Sequence, residues 1–350
     1  MIQAQAFSKK LLDWYHINKR DLPWRNITDP YKIWLSEVIL QQTRVAQGLP
    51  YYEKFINEYP TIHDLASADE SQVLRTWQGL GYYSRARNLH RCAQFIVENY
   101  DGKFPNTFDS LLRLPGVGPY TAAAIASFSF KEKVAVVDGN VYRVLSRIFG
   151  IETDISSSQA YKVFKEKASE LIDEKEPDHF NQALMEFGAT VCNPKNPECS
   201  NCIFNKDCFA NNNGLKSQLP VKLKKTKTRK RYFTYLVFRF NDQLFLNKRE
   251  AKDIWQNMYD FKLIETESKL NTDNILSLNE IEKIKDQISQ VDISKEYKHI
   301  LSHQNIYAQF VEINLKSNSL DFDGKWYSKK EILELPKPVL ISTYLQEYIF

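Results

Sequence analysis

The architecture of the first domain is indicated by one short segment, Leu114-Pro115-Gly116-Val117-Gly118-Pro119-Tyr120-Thr121-Ala122. Gly116 and Gly118 permit a tight turn, and Pro119 suits the first position of a helix, where the N–H that proline lacks would have no partner. The small residues that follow let the second helix approach its neighbours closely. We therefore expect a helix–turn–helix hairpin at about residues 111–127.

Backbone N–H groups at the start of the second helix have no intrahelical partner and can bind a phosphate group. Such a contact depends on the shape and charge of a nucleic-acid backbone rather than on its base sequence. A plain helix hairpin that ends in glycine is the alternative, because a lone Gly-x-Gly is common. The complete segment favours DNA contact, with Gly116 and Gly118 as contacting residues.

The chain has 350 residues, 43% of them hydrophobic, which is enough for more than one domain. Up to about residue 220 it reads as successive helices of modest length, so we expect an all-α domain at 1–220. Residues 221–231 are strongly basic and form a predicted linker, which is either solvated or in contact with phosphate. Short β-rich segments with helices between them predict an α+β domain at 232–350.

The composition argues against a membrane protein. No run reaches the roughly 18 apolar residues of a membrane span, and the N-terminus is typical of an amphipathic helix rather than a signal peptide. We therefore expect a cytoplasmic protein. The formal net charge of +4 is only mildly basic, so DNA binding must be argued from the position of the positive charge.

Four cysteines, Cys192, Cys199, Cys202 and Cys208, follow one another at the spacing C-x6-C-x2-C-x5-C. In an intracellular protein, four thiolates in one loop are more typical of a metal centre than of disulfides. Structural zinc is usually held by two close cysteine pairs, and only one close pair is present here. The longer gaps favour one [4Fe–4S] cluster, with zinc as the alternative and Cys₄ ligation in both. Cys92 is predicted to be a buried residue without a role.

Two acidic residues are candidates for chemistry. Glu37 is the only acid in the largely apolar helical run Tyr31–Thr43, and burial there would raise its pKa and keep a proton available for general acid catalysis. An exposed position on an amphipathic helix is the alternative. Asp138 is predicted to be a helix N-cap, where a carboxylate tends to stay ionised and stabilises a nearby cation. Opposite protonation states of two carboxyl groups are what cleavage of a glycosidic bond requires.

Several motifs together resemble the MutY family of adenine DNA glycosylases, which belongs to the helix-hairpin-helix glycosylases. They are Leu22-Pro23-Trp24-Arg25, Trp34-Leu35-Ser36-Glu37 with Gln41-Gln42-Thr43, Gly79-Leu80-Gly81-Tyr82-Tyr83-Ser84-Arg85-Ala86-Arg87, the hairpin, Val137-Asp138-Gly139-Asn140-Val141 and the four cysteines. The match covers essentially the whole first domain. The resemblance implies hydrolysis of the N-glycosidic bond of adenine mispaired with 8-oxoguanine or guanine, the first step of base-excision repair.

The resemblance also implies roles for individual residues. Glu37 would protonate adenine at N7, and Asp138 would stabilise the oxocarbenium-like intermediate. Gln42 and Tyr82 match positions that wedge into the duplex beside the oxidised base, although ordinary helix packing is the alternative for Tyr82. The residues expected around the flipped adenine or the DNA are Trp24, Arg25, Leu40, Val45, Asn140 and Glu186.

Tyr120 separates this family from its nearest relatives. In the bifunctional glycosylase/lyases of the same superfamily, which remove oxidised pyrimidines, a Lys at this position forms a Schiff base with the sugar. A phenol forms no imine, so the resemblance implies a monofunctional glycosylase in which Tyr120 lines the site and hydrogen-bonds near Asp138. The lyase is one competing hypothesis. A non-catalytic, redox-sensing DNA-binding protein is another, and the pair of Glu37 and Asp138 argues against it.

The second domain resembles the Nudix-like C-terminal module of the same family, which recognises 8-oxoguanine. The sequence contains no Nudix box, so nucleotide hydrolysis is not expected. Ser302 and His303 match part of the recognition turn, but Leu301 replaces the usual Phe, and Gln256-Asn257 replaces a usual Gly-Gly pair.

The expected partner is double-stranded DNA that contains an 8-oxoguanine·adenine or guanine·adenine mispair. Glycosylases bind DNA as single modules around one flipped base, so we expect a monomer. Near the cysteines, Lys195 and Lys206 are the basic residues expected to contact phosphate.

Overall fold

The computed structural model describes residues 2–224 and 228–349. The chain forms two compact units, one from residues 1–67 and 88–225 and the other from residues 68–87 and 226–350. Across the described residues, no helix combines the length and the apolar character that a membrane span requires.

The first unit is helical, in agreement with the prediction. The helices up to residue 212 are α1 (Ala4–Asn18), α2 (Pro30–Leu40), α3 (Val45–Glu58), α4 (Ile62–Ser67), α5 (Glu70–Thr76), α6 (Ser84–Tyr100), α7 (Phe108–Leu111), α8 (Pro119–Phe130), α9 (Gly139–Phe149), α10 (Ala160–Leu171), α11 (Pro177–Thr190) and α12 (Phe209–Asn212). Of these, α5 belongs to the second unit, and α6 contributes residues to both.

Helix α2 is packed inside the first unit. Its N-cap is Asp29, whose carboxylate accepts hydrogen bonds from the N–H groups of Tyr31 and Lys32, and Pro30 occupies the first helical position. Most of the helix is buried, as expected for a segment that is apolar on all sides. It packs against α3 and α8.

Helices α8 and α9 bury different faces. Residues 121–128 of α8 are all buried, and the alanines among them permit the close contact with α2. Helix α9 instead has an apolar face that joins α1 and α11 in one hydrophobic core. This packing fixes the N-terminus of α9, which carries Asp138, relative to the rest of the unit.

The second unit contains a mixed sheet and short helices, in agreement with the predicted α+β class. Its remaining elements are β1 (Arg229–Phe240), β2 (Gln243–Lys248), β3 (Tyr259–Asp260), β4 (Lys262–Thr266), α13 (Thr272–Leu276), α14 (Asn279–Glu282), β5 (Ile288–Ile293), β6 (Tyr297–Ile300), β7 (Gln304–Leu315), β8 (Lys325–Ser328), α15 (Lys329–Glu334) and α16 (Val339–Tyr348).

Strand β1 organises this sheet. It pairs in parallel with β7, from Arg229 opposite Gln304 to Arg239 opposite Asn314, and in antiparallel fashion with β2 and β4. The order β3-β2-β1-β7-β5 is extended by β6 on β7 and β8 on β2. Both β1 and β7 are largely buried, as expected for paired central strands.

Two boundaries in the structure differ from the predicted ones. Residues 68–87, which the sequence placed in the all-α domain, belong to the second unit, where Asn257 Nδ2 donates to Glu70 Oε1 at 2.6 Å. The predicted linker 221–231 overlaps β1, because Arg229 already pairs with Gln304. Residues 225–227 of that linker lie outside the described residues.

Candidate active site

Glu37 lies in the last turns of α2 and is only 6% exposed. Burial raises the pKa of this carboxyl to about 7, because it penalises the charged form. A hydrogen bond from Tyr120 and the charge of Arg25 lower this pKa, whereas the charge of Asp138 raises it. Glu37 is therefore buried, as predicted, and does not lie on the exposed face of an amphipathic helix. Its carboxyl group keeps a proton available near neutral pH.

Tyr120 is the direct partner of Glu37. Its hydroxyl donates a hydrogen bond to Glu37 Oε2, and burial raises the pKa of the phenol well above its ordinary value. The sequence predicted that Tyr120 lines the site and hydrogen-bonds near Asp138, and Asp138 lines the same cavity and raises the pKa of the phenol further. The partner is Glu37 because Tyr120 lies in the first turn of α8, which packs directly on α2.

Asp138 is the N-cap of α9, as predicted. Its Oδ1 accepts hydrogen bonds from the N–H groups of Asn140 at 2.9 Å and Val141 at 2.8 Å, and its Oδ2 accepts one from Asn140 Nδ2 at 2.7 Å. Burial raises the pKa of Asp138, while these hydrogen bonds and the charge of Arg143 act to lower it. Three donors directed at one carboxyl group favour its ionised form.

Glu37, Asp138 and Tyr120 line one cavity of about 560 Å³ in the first unit. The predicted pocket residues all line the same cavity: Trp24, Arg25, Leu40, Val45, Asn140 and Glu186. Segments far apart in sequence thus meet where the N-terminus of α9 approaches α2. The cavity is large enough for a base and part of its sugar.

Glu186 is paired with two arginines at the cavity wall. Its side chain is 1% exposed and accepts hydrogen bonds from Arg20 Nη2 at 2.8 Å and Arg25 Nη2 at 2.9 Å. Burial acts to raise the pKa of Glu186, but the hydrogen bonds from Arg20 and the charge of Arg25 outweigh it and lower the pKa. Glu186 is thus a buried anion whose charge is compensated.

Sequence reasoning missed Arg143, which connects Asn140 to the cysteine loop. Arg143 Nη2 donates to Asn140 Oδ1 at 2.8 Å, and its Nε donates to the Cys192 carbonyl at 2.7 Å. The side chain is 8% exposed although it carries a charge. An arginine among the apolar residues of α9 was the available signal, because a buried cation needs specific partners.

The hairpin has the predicted form, with α7 ending at Leu111 and α8 beginning at Pro119. The first N–H donor within α8 is that of Ala122, which bonds to the Gly118 carbonyl at 2.9 Å. The N–H groups of residues 120 and 121 therefore lack intrahelical acceptors, as phosphate binding requires.

Replacing Gly116 by alanine is expected to lower the free energy of unfolding by about 1–2 kcal/mol. Gly116 has a left-handed φ of 74°, and an added Cβ would lie 2.8 Å from Asn88 Cβ. Gly118→Ala is the matched control, because its φ is −94° and nothing lies within 4 Å of its added Cβ. Urea denaturation measures both variants, and equal losses of stability would contradict this assignment.

The four cysteines of the predicted metal centre line a second, small cavity in the first unit. Two N–H donors point at their sulfurs: Phe204 N lies 3.4 Å from Cys202 Sγ, and Arg147 Nη1 lies 3.5 Å from Cys192 Sγ. None of the five cysteines, all within the described residues, forms a disulfide. Cys92 is 1% exposed, as predicted. Both Lys195 and Lys206 are exposed near this loop.

Gln42 and Tyr82, the two predicted wedge residues, share an unusual backbone conformation. Gln42 has a φ of 57° and Tyr82 a φ of 49°, both in the left-handed region that non-glycine residues rarely adopt. Both side chains are exposed, Tyr82 by 44%. Tyr82 is therefore an exposed residue that precedes α6, and it is not packed inside a helix bundle.

Tyr82, Ser302 and His303 line a cavity of about 450 Å³ within the second unit. Leu301 lines the same cavity, together with the buried Trp255. The structure thus brings residues 79–87 together with the turn at 301–303, which the sequence assigned to different domains.

Asn257 occupies the second position of the usual Gly-Gly pair. Its φ of 66° is left-handed, and asparagine tolerates this conformation better than most residues. Its N–H donates to the Arg249 carbonyl at 2.7 Å. Asn257 therefore adopts a left-handed backbone conformation at a position where the resemblance implies glycine.

Comparisons with known proteins identify the family of this chain. The HhH-GPD superfamily base excision DNA repair protein family matches residues 35–170, and the NUDIX domain family matches residues 234–347. An adenine DNA glycosylase of Buchnera aphidicola subsp. Baizongia pistaciae is 34% identical over 341 residues, covering 95% of each chain. This chain belongs to the adenine DNA glycosylases. It is therefore an enzyme that acts on N-glycosyl bonds.

Other adenine DNA glycosylases and solved structures agree with the assignment. The human adenine DNA glycosylase is 45% identical over 226 residues, covering 62% of this chain and 41% of the human protein. The structure of a thermostable thymine-DNA glycosylase is 32% identical with a TM-score of 0.55, covering 59% of this chain and 95% of that one. A non-covalent Endonuclease III–DNA complex, 22% identical with a TM-score of 0.53, shares the helical fold.

Proposed function

We propose that this enzyme hydrolyses the N-glycosidic bond of adenine mispaired with 8-oxoguanine or guanine in double-stranded DNA, the first step of base-excision repair. The observation that carries the proposal is the pair of carboxyl groups in one cavity, Glu37 with a pKa of about 7 and Asp138 held by three hydrogen-bond donors. Departure of adenine requires one proton donor and one anion.

Glu37 is the general acid in this proposal. A pKa of about 7 leaves it substantially protonated at neutral pH, so it can donate the proton to N7 of adenine as the glycosidic bond breaks. The hydroxyl of Tyr120 holds Glu37 Oε2 in place and orients the carboxyl group. Protonation at N7 makes adenine a neutral leaving group.

Asp138 stabilises the positive charge that develops on the sugar. Its two oxygens are fixed by Asn140 and by the N-terminus of α9, so no reorganisation is needed when the cation forms. The charge of Asp138 in turn raises the pKa of Glu37. The ionised form of Asp138 thereby supports the protonated form of Glu37.

The flipped adenine occupies the 560 Å³ cavity beside Trp24 and Leu40, which supply apolar contact area. Arg25 is held by Glu186 and also donates to Tyr15, so its position does not depend on the substrate. Arg25 and Glu186 therefore form a polar wall of fixed geometry.

A monofunctional reaction follows from Tyr120, since no amine is present at that position to form an imine. Single-turnover assays on an 8-oxoguanine·adenine duplex, developed with and without alkali, test the proposal. Strand breaks are expected only after alkali, and borohydride is expected to trap no covalent complex. Breaks without alkali, or a trapped complex, would favour the glycosylase/lyase alternative. Absence of breaks under both conditions would favour the non-catalytic alternative.

The four-cysteine loop fits one [4Fe–4S] cluster, because its donor set is four thiols around a common cavity with N–H groups directed at the sulfurs. A cluster there supplies structural cross-linking of the loop. Arg147 binds the same loop, donating to the carbonyls of Asn193 at 2.8 Å and Pro194 at 3.1 Å. With a cluster bound to the four cysteines, the loop held by Arg147 would present Lys195 and Lys206 to phosphate.

Replacing Cys202 by serine is expected to lower the iron content to less than half that of the wild type, because one of four thiolate ligands is lost. Cys92→Ser is the matched control, since Cys92 is buried in α6 and is not part of the loop. Iron analysis of the purified proteins measures the difference. Unchanged iron in Cys202→Ser, or zinc in its place in the wild type, would contradict the cluster.

The cavity of the second unit recognises 8-oxoguanine in this proposal. Ser302 and His303 are exposed at its edge, and their polar side chains can pair with the functional groups of an oxidised purine. Leu301 supplies an apolar contact in place of an aromatic ring. Gln42 and Tyr82 wedge into the duplex, and we expect the enzyme to act as a monomer.

A further inference from the structure

Three side chains outside the active site converge between α1 and α11. His16 lies in the last turn of α1, Glu176 is the N-cap of α11, and His179 lies in the first turn of α11. One ligand atom from each residue lies within 4.8 Å of the other two. Their partial exposure, 42% for His16 and Glu176 and 32% for His179, leaves this cluster open to solvent.

We propose that His16, Glu176 and His179 bind a divalent cation of the zinc class. Two imidazoles and one carboxylate are a donor set that zinc uses in sites with an open coordination position, which water fills. Imidazole also excludes magnesium and calcium, which prefer oxygen ligands. The proposed site is separate from both the cysteine loop and the cavity of Glu37.

The distances within the cluster suit a single ion. His16 Nε2 lies 3.6 Å from Glu176 Oε2, and His179 Nδ1 lies 2.9 Å from Glu176 Oε1. Ligands of a tetrahedral zinc ion are separated by roughly 3.3 Å, as follows from metal–ligand bonds of about 2.0–2.1 Å. The two separations, each to a different oxygen of Glu176, lie on both sides of this value, and the two histidine nitrogens lie within 4.8 Å of each other.

The two imidazoles are held by their surroundings. Their rings lie 5.4 Å apart and nearly perpendicular, and the ring of Tyr15 lies 6.2 Å from that of His16 and 6.0 Å from that of His179. Tyr15 is itself buried, with its hydroxyl hydrogen-bonded to Gln182. A site on two packed helices with a buried ring beneath it loses little conformational entropy when the ion binds.

The carboxylate of Asp178 lies near the site, beyond hydrogen-bond distance. Its Oδ2 lies 4.0 Å from His179 Nε2, the ring nitrogen that faces away from Glu176. Metal-bound histidines commonly direct their second nitrogen at a carboxylate, which orients the ring and strengthens the ligand.

Zinc binding to the iron-loaded, full-length enzyme tests the proposal. After equilibrium dialysis against micromolar zinc sulfate, metal analysis is expected to find about one zinc ion per chain at unchanged iron content. His16→Gln and His179→Gln are each expected to raise the dissociation constant for zinc at least about tenfold, because each removes one ligand. His63→Gln is the matched control, an exposed histidine on α4 outside the cluster.

X-ray absorption at the zinc edge locates the bound ion independently. Nitrogen and oxygen ligands at about 2.0–2.1 Å are expected, whereas sulfur ligands at about 2.3 Å would place the zinc in the cysteine loop and overturn the proposal. Equal zinc binding by the wild type and the His16→Gln/His179→Gln double variant would also overturn it. Circular dichroism and iron content verify that the variants are folded.

Discussion

Replacing Glu37 by glutamine is expected to lower the single-turnover rate of adenine release about 10²- to 10⁴-fold, because the substitution removes the general acid. Glutamine has nearly the same shape and can still accept the hydrogen bond from Tyr120, so binding of the duplex should be retained. Quenched-flow cleavage of an 8-oxoguanine·adenine duplex measures the rate, and gel-shift titration measures binding. Glu98→Gln, an exposed acid on α6, is the control and should keep the wild-type rate.

The pH dependence gives a second measurement of the same group. With a pKa of about 7, Glu37 is protonated below neutrality, so the wild-type rate should fall about tenfold for each pH unit above that value. The Glu37→Gln variant should lose this dependence. A wild-type rate that stays constant from pH 6 to pH 9 would contradict the assignment of Glu37 as the acid.

The same pKa has a consequence for stability. The pKa of Glu37 in the folded protein, about 7, lies above the ordinary 4.5 that we assign to the unfolded chain, so the folded state binds this proton more tightly. The resulting stabilisation is fully present below about pH 4.5 and is lost as the pH rises through about 7. The free energy of unfolding of Glu37→Gln relative to the wild type should therefore be higher above neutral pH than in acid.

Replacing Asp138 by asparagine is expected to lower the rate of adenine release about 10²- to 10³-fold, because a preorganised charge beside the developing cation is lost. Asparagine is also a favourable N-cap, so the free energy of unfolding should change by only about 1 kcal/mol or less. Single-turnover kinetics and urea denaturation together separate these two effects. A large loss of stability would mean that Asp138 acts mainly through the fold.

Asp29→Asn provides the matched control for this prediction. Asp29 is the N-cap of α2 and accepts hydrogen bonds from two backbone N–H groups, as Asp138 does at α9. It is exposed and does not line the active-site cavity. The substitution should leave the rate of adenine release unchanged. An equal loss of rate in both variants would show that the rate falls whenever a helix N-cap loses its charge, and not because Asp138 lies at the active site.

Features that depend on neighbouring residues were predictable from sequence. The turn at Gly116 and Gly118 and the N-cap at Asp138 are determined by backbone conformation within a few residues, and both occur as predicted. The two fold classes were likewise predictable, because periodicity of apolar residues reflects the local geometry of helices and strands. Glu37 stood out for a related reason, as an acid inside an apolar helix.

Features that depend on distant residues required the tertiary structure. The hydrogen bond of Tyr120 goes to Glu37, because the packing of α8 on α2 decides which carboxyl group is within reach. The connection of Arg143 to Cys192 joins residues 49 positions apart, and nothing in the local sequence specifies it. The assignment of residues 68–87 to the second unit has the same cause.

The sequence alone therefore determined the family resemblance, the caps and turns, and the residue types available for catalysis, since these follow from local chemistry. Only the tertiary structure decided the protonation of Glu37 and the cluster of His16, Glu176 and His179. The physical reason is that desolvation and side-chain contacts depend on which segments of the chain pack together and exclude water. Such contacts between distant segments arise only when the whole domain packs.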